Sequence, residues 1–186
     1  MLYFFGGVNG VGKTSLIKKI AENPLFESVH LTSLVMAEAG VSGYDELRLI
    51  DQPTKRTYLT AVMEELLDRP SEKYLLLDGH FLNIINGEIT ETTNQHWVDR
   101  LNGVILVACN PDIVMKRIAT DKRDRALFAQ DEKDADSVYR EYIIAMKKRF
   151  DAISKNVPHT VVTNEASLEE SVADFMAFHA SVEARG

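Results

Sequence analysis

Gly7, Gly12, Lys13 and Thr14 stand at the spacing G-x-x-x-x-G-K-(S/T) inside the run GGVNGVGKTS. Glycines permit backbone angles and close approaches that a Cβ would forbid. The amides of such a loop converge on a phosphate, and the helix that follows turns its positive end toward it. Lys13 is expected to bridge the β- and γ-phosphates of a nucleotide, and the Thr14 hydroxyl to ligate Mg²⁺. The donor-binding set read from the loop is Gly7, Asn9, Gly10, Val11, Gly12, Lys13, Thr14 and Ser15. The plainer reading is a glycine-rich turn before a helix with an exposed lysine. The motif is complete and lies between a strand pattern and a helix pattern, which favours phosphate binding.

Three further stretches carry candidate chemistry. In YLLLDGHF, Asp78 ends a strand pattern, where an acid holds Mg²⁺ or its water shell. Its alternative is a turn aspartate, since Asp-Gly is a turn signal. Gly79 occupies the place where many motor ATPases carry a water-activating glutamate, and no N-K-x-D signature of GTPases occurs. Phosphoryl transfer is therefore favoured over hydrolysis or switching. The stretch MKRIATDKRDR holds Arg117, Arg123 and Arg125 with Lys116 and Lys122. A phosphoryl-transfer transition state spreads negative charge that arginines on a closing lid can neutralise. The alternative is a solvated charged helix end, because Asp121 and Asp124 interleave. In GYDELRLIDQPTKR, Arg48 could grip the phosphate of a second substrate or pair with Asp45 or Asp51. His80 reads either as a packed histidine or as a polar site contact, and Cys109 reads as core.

The elements that must position these groups alternate. Strand patterns occur at LYFF, at SVHLT over 28–32, at YLLLD over 74–78, at GVILVA over 103–108 and at HTVVT over 159–163. Short, near-continuous apolar runs are the mark of buried parallel strands. A helix is expected from the glycine loop to about residue 22, and another bears Leu59, Val62, Met63, Leu66 and Leu67 with Pro53 in its first turn. Asn110 and Pro111 suit N-cap and first-turn positions. Ala135, Val138, Tyr142, Met146, Phe150 and Ile153 mark a long amphipathic helix, and Ser167 with Glu170 forms a capping box for the last one. The expected fold is α/β, a three-layer α/β/α sandwich on a five-stranded parallel sheet, with ligands beyond the carboxyl ends of the strands.

The bulk properties agree. A chain of 186 residues suits one domain. One cysteine gives no disulfide framework and fits a reducing compartment, hence a cytoplasmic expectation. The N-terminal apolar run lacks a basic flank and is no signal peptide, and no run reaches membrane-spanning length. A net charge of −7 disfavours nucleic-acid binding.

Taken in order, these stretches resemble the P-loop nucleoside monophosphate kinases, most closely the archaeal-type adenylate kinases. GVNGVGKTS, LVMAEAG over 34–40, Asp45-Glu-Leu-Arg48-Leu-Ile-Asp51, Asp78-Gly79-His80 and the Arg117, Arg123, Arg125 pattern are similar to that family's successive motifs. The resemblance covers nearly the whole chain. It implies a single domain over 1–186, an acceptor-binding segment over about 33–70, a short lid over about 117–130 and a strand order of 2-3-1-4-5. It implies Mg²⁺ and ATP as donor, with a nucleoside monophosphate such as AMP as the small phosphorylated acceptor. It places Lys13, Asp78 and the three arginines in catalysis, Thr14 and Asp78 at the metal, Asn164 near the donor adenine, and Arg48, Ser33 and His80 at the acceptor. Ser33-Leu34 stands where the family usually has Gly-Thr, and the segment after His80 lacks the family's glycine- and proline-containing lining. Two other readings therefore stay open: a kinase of another small metabolite, and a non-catalytic nucleotide-binding sensor.

Overall fold

A computed structural model of the chain describes residues 1–85, 88–120 and 132–185. The elements in chain order are β1 (Leu2–Gly6), α1 (Lys13–Ile20), β2 (Phe26–His30), α2 (Leu31–Glu38), α3 (Tyr44–Leu49), α4 (Gln52–Asp68) and β3 (Tyr74–Asp78). They continue with β4 (Leu82–Ile85), β5 (Glu88–Glu91), α5 (Gln95–Val98), β6 (Gly103–Ala108), α6 (Pro111–Thr120), α7 (Glu132–Ile153), β7 (His159–Thr163) and α8 (Leu168–Glu183). Five strands form one parallel sheet in the order β2-β3-β1-β6-β7. Among those five strands in chain order this is 2-3-1-4-5. The hairpin β4–β5 is antiparallel and was not anticipated from the sequence.

β1 shows why the apolar runs are continuous. Side chains alternate between the two faces of a strand, and here both faces are covered by helices. Tyr3 and Phe5 point to α8, with ring centroids 5.6 and 5.2 Å from Phe175. Phe4 points to the opposite layer, 5.4 Å from both Phe81 and Trp97. All four large side chains of β1, Leu2 to Phe5, are buried.

The strand expected over 28–32 lies two residues earlier, at Phe26–His30. Phe26 pairs with Tyr74 in the ladder and is buried, so it starts the strand. Leu31 and Val35 fall four apart, are both buried, and make the first turns of α2 instead. Register then brings the chemistry together: Phe5 and His30 both lie opposite Asp78 at the carboxyl edge of the sheet.

The capping signals hold. Ser167 Oγ accepts from the Glu170 amide at 3.1 Å, and Asn110 Oδ1 accepts from the Asp112 amide at 2.9 Å. Asp51 caps α4 by accepting from the Thr54 amide at 2.9 Å, so it is not a partner of Arg48. Cys109 is half-buried just beyond β6 rather than fully in the core, and its burial pushes the thiol pKa up. No helix among the described residues is long and apolar enough to cross a membrane.

On the α8 side of the sheet, His179 is buried against Tyr3, Phe26 and Tyr74. Its Nδ1 lies 2.8 Å from the Tyr3 hydroxyl, which donates to the neutral ring. Burial lowers the pKa of His179. The unfolded chain therefore binds the proton more readily, so this group's stabilising contribution is present above about pH 6.5 and is lost as pH falls through the folded pKa. The urea midpoint should drop between pH 7.5 and pH 5.5, and His179→Gln, which keeps an acceptor for Tyr3, should flatten that drop. An identical drop in both proteins would show that His179 is not the titrating group.

Candidate active site

The glycine loop between β1 and α1 has the left-handed angles its motif requires, with φ of 81° at Gly10 and 92° at Gly12. A Cβ on Gly12 would lie 2.3 Å from Asn164 Nδ2, and one on Gly10 would lie 2.7 Å from Ile118 Cγ1. Neither position has room for any other residue. Turning the amides toward a ligand leaves carbonyls pointing the other way, and buried carbonyls need donors. Lys13 Nζ donates to Gly7 O at 2.8 Å and Val8 O at 3.3 Å. Tyr139 of α7 donates its hydroxyl to Asn9 O at 3.2 Å. Val11 O receives Asn164 Nδ2 at 2.8 Å and Arg117 Nη1 at 3.2 Å. Lys13 itself is 6% exposed, a buried ammonium held by the loop whose anion it would meet.

Thr14 Oγ1 donates to Asp78 Oδ2 at 2.7 Å. This pair of hard oxygens at the mouth of the loop suits Mg²⁺, which takes one or two protein oxygens and completes its shell with water and phosphate. No group of three or more His, Cys, Asp or Glu side chains among the described residues offers an all-protein cage. His30 Nδ1 stands 3.4 Å from the same Asp78 oxygen, a neighbour that sequence reading did not single out. Gly79 leaves no room for a glutamate: its Cβ would lie 2.6 Å from Phe4 Cζ and 3.1 Å from Leu31 Cδ1.

A cleft of about 1140 Å³ opens over the loop. Asn9, Gly10, Gly12, Lys13, Thr14 and Ser15 line it, together with Asp78, His80, Arg117 and Asn164. On the acceptor side it reaches Ser33, Tyr44 and Arg48, and at the other end Ala166 and Leu168. The structure thus gathers nearly every described residue proposed from sequence. Val11 serves through its backbone, its side chain being fully buried. Asn164 is buried and its amide is committed to Val11 O, so it shapes the loop, and its neighbours Ala166 and Leu168 face the space beside it. Arg117 Nη2 also donates to Asn164 O at 3.1 Å, which ties α6 to the end of β7. Arg48 is 65% exposed and pairs weakly with Asp45 at 3.6 Å. Arg123 and Arg125, with most of the expected lid, lie outside the described residues.

His80 is not packed beneath the sheet. Its Nε2 lies 3.0 Å from Asn9 Oδ1, and it lines both the cleft and a second chamber of about 130 Å³. Thr32 also borders both cavities. The chamber is walled by Phe4, Leu31, Val35, Leu47 and Leu59, with Gln52, Lys55, Arg56, Asn83, Glu91 and Thr92 as polar groups. Sequence reading missed Gln52, Lys55, Arg56, Glu91 and Thr92 of this polar set. Two signals could have found it. Residues 52, 55, 56 and 59 repeat at one helical face, and Asn86-Gly87 between alternating runs is a hairpin signal.

The sequence of the AAA domain family model matches residues 6–134. No curated protein matches the chain significantly. Among solved structures, shikimate kinase from Bacteroides thetaiotaomicron is similar with a TM-score of 0.69 and 16% identity, over 97% of this chain and 98% of that one. Shikimate kinase from Acinetobacter baumannii in complex with shikimate has a TM-score of 0.69 and 19% identity, over 97% and 92%. A gluconokinase from Sinorhizobium meliloti 1021 has a TM-score of 0.55 and 16% identity, over 97% and 91%. The fold is therefore that of P-loop kinases.

Gly12→Ala should abolish binding of a non-hydrolysable ATP analogue in calorimetry and cost about 2 kcal/mol of stability, from positive φ and the contact with Asn164. Asn164→Ala should weaken that binding about 5-fold, because Val11 O keeps Arg117 but loses its shortest donor. Unchanged affinity in both variants would refute the clamp.

Proposed function

The chain belongs to the AAA domain family, and on that premise we propose that it is an ATP-dependent phosphotransferase which moves the γ-phosphoryl group of Mg·ATP to a small acceptor. The observation that carries this reading is the pair of adjoining cavities, which share His80 and Thr32 in their walls. The donor loop lines one, and a polar chamber forms the other. A sensor module needs only the first.

The donor phosphates rest on the amides of residues 9–15, with the base toward Arg117, Ala166 and Leu168. Thr14 and Asp78 would hold magnesium, which would supply neutralisation of the charge developing on the transferred phosphoryl group. Lys13 turns from the loop carbonyls to the phosphate oxygens. An acceptor oxygen forms the new bond to the γ-phosphorus, the bond to the β,γ-bridging oxygen breaks, and ADP leaves with that electron pair. A hydroxyl acceptor releases its proton to solvent. Such chemistry needs positioning and electrostatics more than covalent help. Arg123 and Arg125 are proposed as the lid arginines that complete this field.

The finer reading makes the acceptor a nucleoside monophosphate, as in archaeal-type adenylate kinases, with its phosphate near Arg48 and Ser33. A second reading, a small-metabolite acceptor, is favoured by the charged wall of the chamber and by the similarity to shikimate kinase and gluconokinase. The single half-buried cysteine supports a cytoplasmic setting.

ADP formation should rise above the rate with water when the right acceptor is added from a panel of nucleoside monophosphates and small hydroxylated metabolites. Lys13→Met should lower that acceptor-dependent rate by at least about 100-fold. An ADP rate indifferent to every acceptor would sink the phosphotransferase reading.

A further inference from the structure

One wall of the smaller chamber is cationic, although the chain carries a net charge of −7. It is built by α4, whose Gln52, Lys55, Arg56 and Leu59 share one face at helical spacing. Lys55 is half-buried, and desolvation lowers its pKa, so its ammonium is poorly served by water. Among the described residues, nothing pairs with the Arg56 guanidinium. Glu91 is the one carboxylate on this lining, and it is turned to Arg149 Nη1 at 3.1 Å. Lys55 also donates to Arg48 O at 3.4 Å and feels the Asp51 carboxylate, and Arg56 is exposed, so two cations border the chamber while the one carboxylate on its lining is turned to Arg149. The opposite wall offers Asn83 and Thr92, which hydrogen-bond hydroxyl groups readily.

No glycine-loop residue lines the chamber, which shares Thr32 and His80 with the donor cleft. A group bound on Arg56 would therefore sit apart from the loop and need not be the group that receives the phosphoryl. We propose that the acceptor is a compact hydroxylated acid: its carboxylate docks on Arg56 with Lys55 beside it, while a hydroxyl at its other end points past His80 to the γ-phosphate. This rests on the phosphotransferase reading and adds the substrate class. A guanidinium binds carboxylate through two parallel hydrogen bonds, whereas a neutral nucleobase offers these cations no charge to pair with.

The test uses a panel of hydroxy acids of four to seven carbons, each with its methyl ester, beside the nucleoside monophosphates, with ATP turnover measured for the full chain. At least one acid should be phosphorylated, with kcat/KM about 50-fold above its ester. Arg56→Gln should cut that ratio at least about 10-fold, through KM rather than kcat, and Lys55→Gln should cut it less. Thermal midpoints near that of the unmodified chain would exclude misfolding, as Arg56 is exposed. An acid-to-ester ratio near one, or one untouched by Arg56→Gln, would overturn the proposal and leave the kinase standing. Turnover of nucleoside monophosphates alone would do the same. Silence from every acceptor would bring down the phosphotransferase reading itself.

Discussion

Everything at the catalytic edge depends on one constraint: a loop that turns its amides toward an anion must turn its carbonyls somewhere else. In this chain those carbonyls are not left to water. Lys13 holds Gly7 O and Val8 O, Tyr139 holds Asn9 O, and Asn164 with Arg117 holds Val11 O. The donors come from α1, α6, α7 and the end of β7. The loop is therefore a meeting point of elements far apart in sequence, and its shape is fixed before any ligand arrives. Lys13 satisfies loop carbonyls here, and on the proposed function it would trade them for phosphate oxygens when a nucleotide binds.

The same edge links the loop to the second cavity. His80 touches the loop through Asn9 and borders both cavities. The β4–β5 hairpin that follows it is pinned from behind, with Tyr142 donating to Leu82 O at 2.6 Å and Arg149 donating to Thr93 O at 2.6 Å. Thr92 hydrogen-bonds to the His80 carbonyl. The wall of the second cavity is thus anchored to α7, the helix that also braces Asn9.

Much of this was legible in the residues. β3, β6 and β7 match the expected runs residue for residue; β3 and β6 are buried on both faces and carry almost no polar interruption, while β7, at the sheet edge, is read from its β-branched Thr and Val residues. The loop and Asp78 followed from spacing and from a strand end. Legibility failed where local patterns compete. Leu31 and Thr32 look like strand, yet helix α2 claims them because Leu31 and Val35 bury together. Arg48 was chosen and does line the cleft, but Arg56 was passed over, since charge alone does not say that it borders the second cavity. That depends on the phase of α4, which Asp51 sets by capping it. Asn164 was read as a ligand contact, but only the fold shows that its amide lies on Val11 O.

The central claim is that the γ-phosphoryl group passes to a second substrate and not to water. Phosphorus NMR on the full chain with Mg·ATP and the acceptor panel follows that group directly. The account predicts a new phosphorylated-acceptor resonance that grows in step with ADP, with little inorganic phosphate. Inorganic phosphate growing alone, in step with ADP and at the same rate without any acceptor, would contradict it.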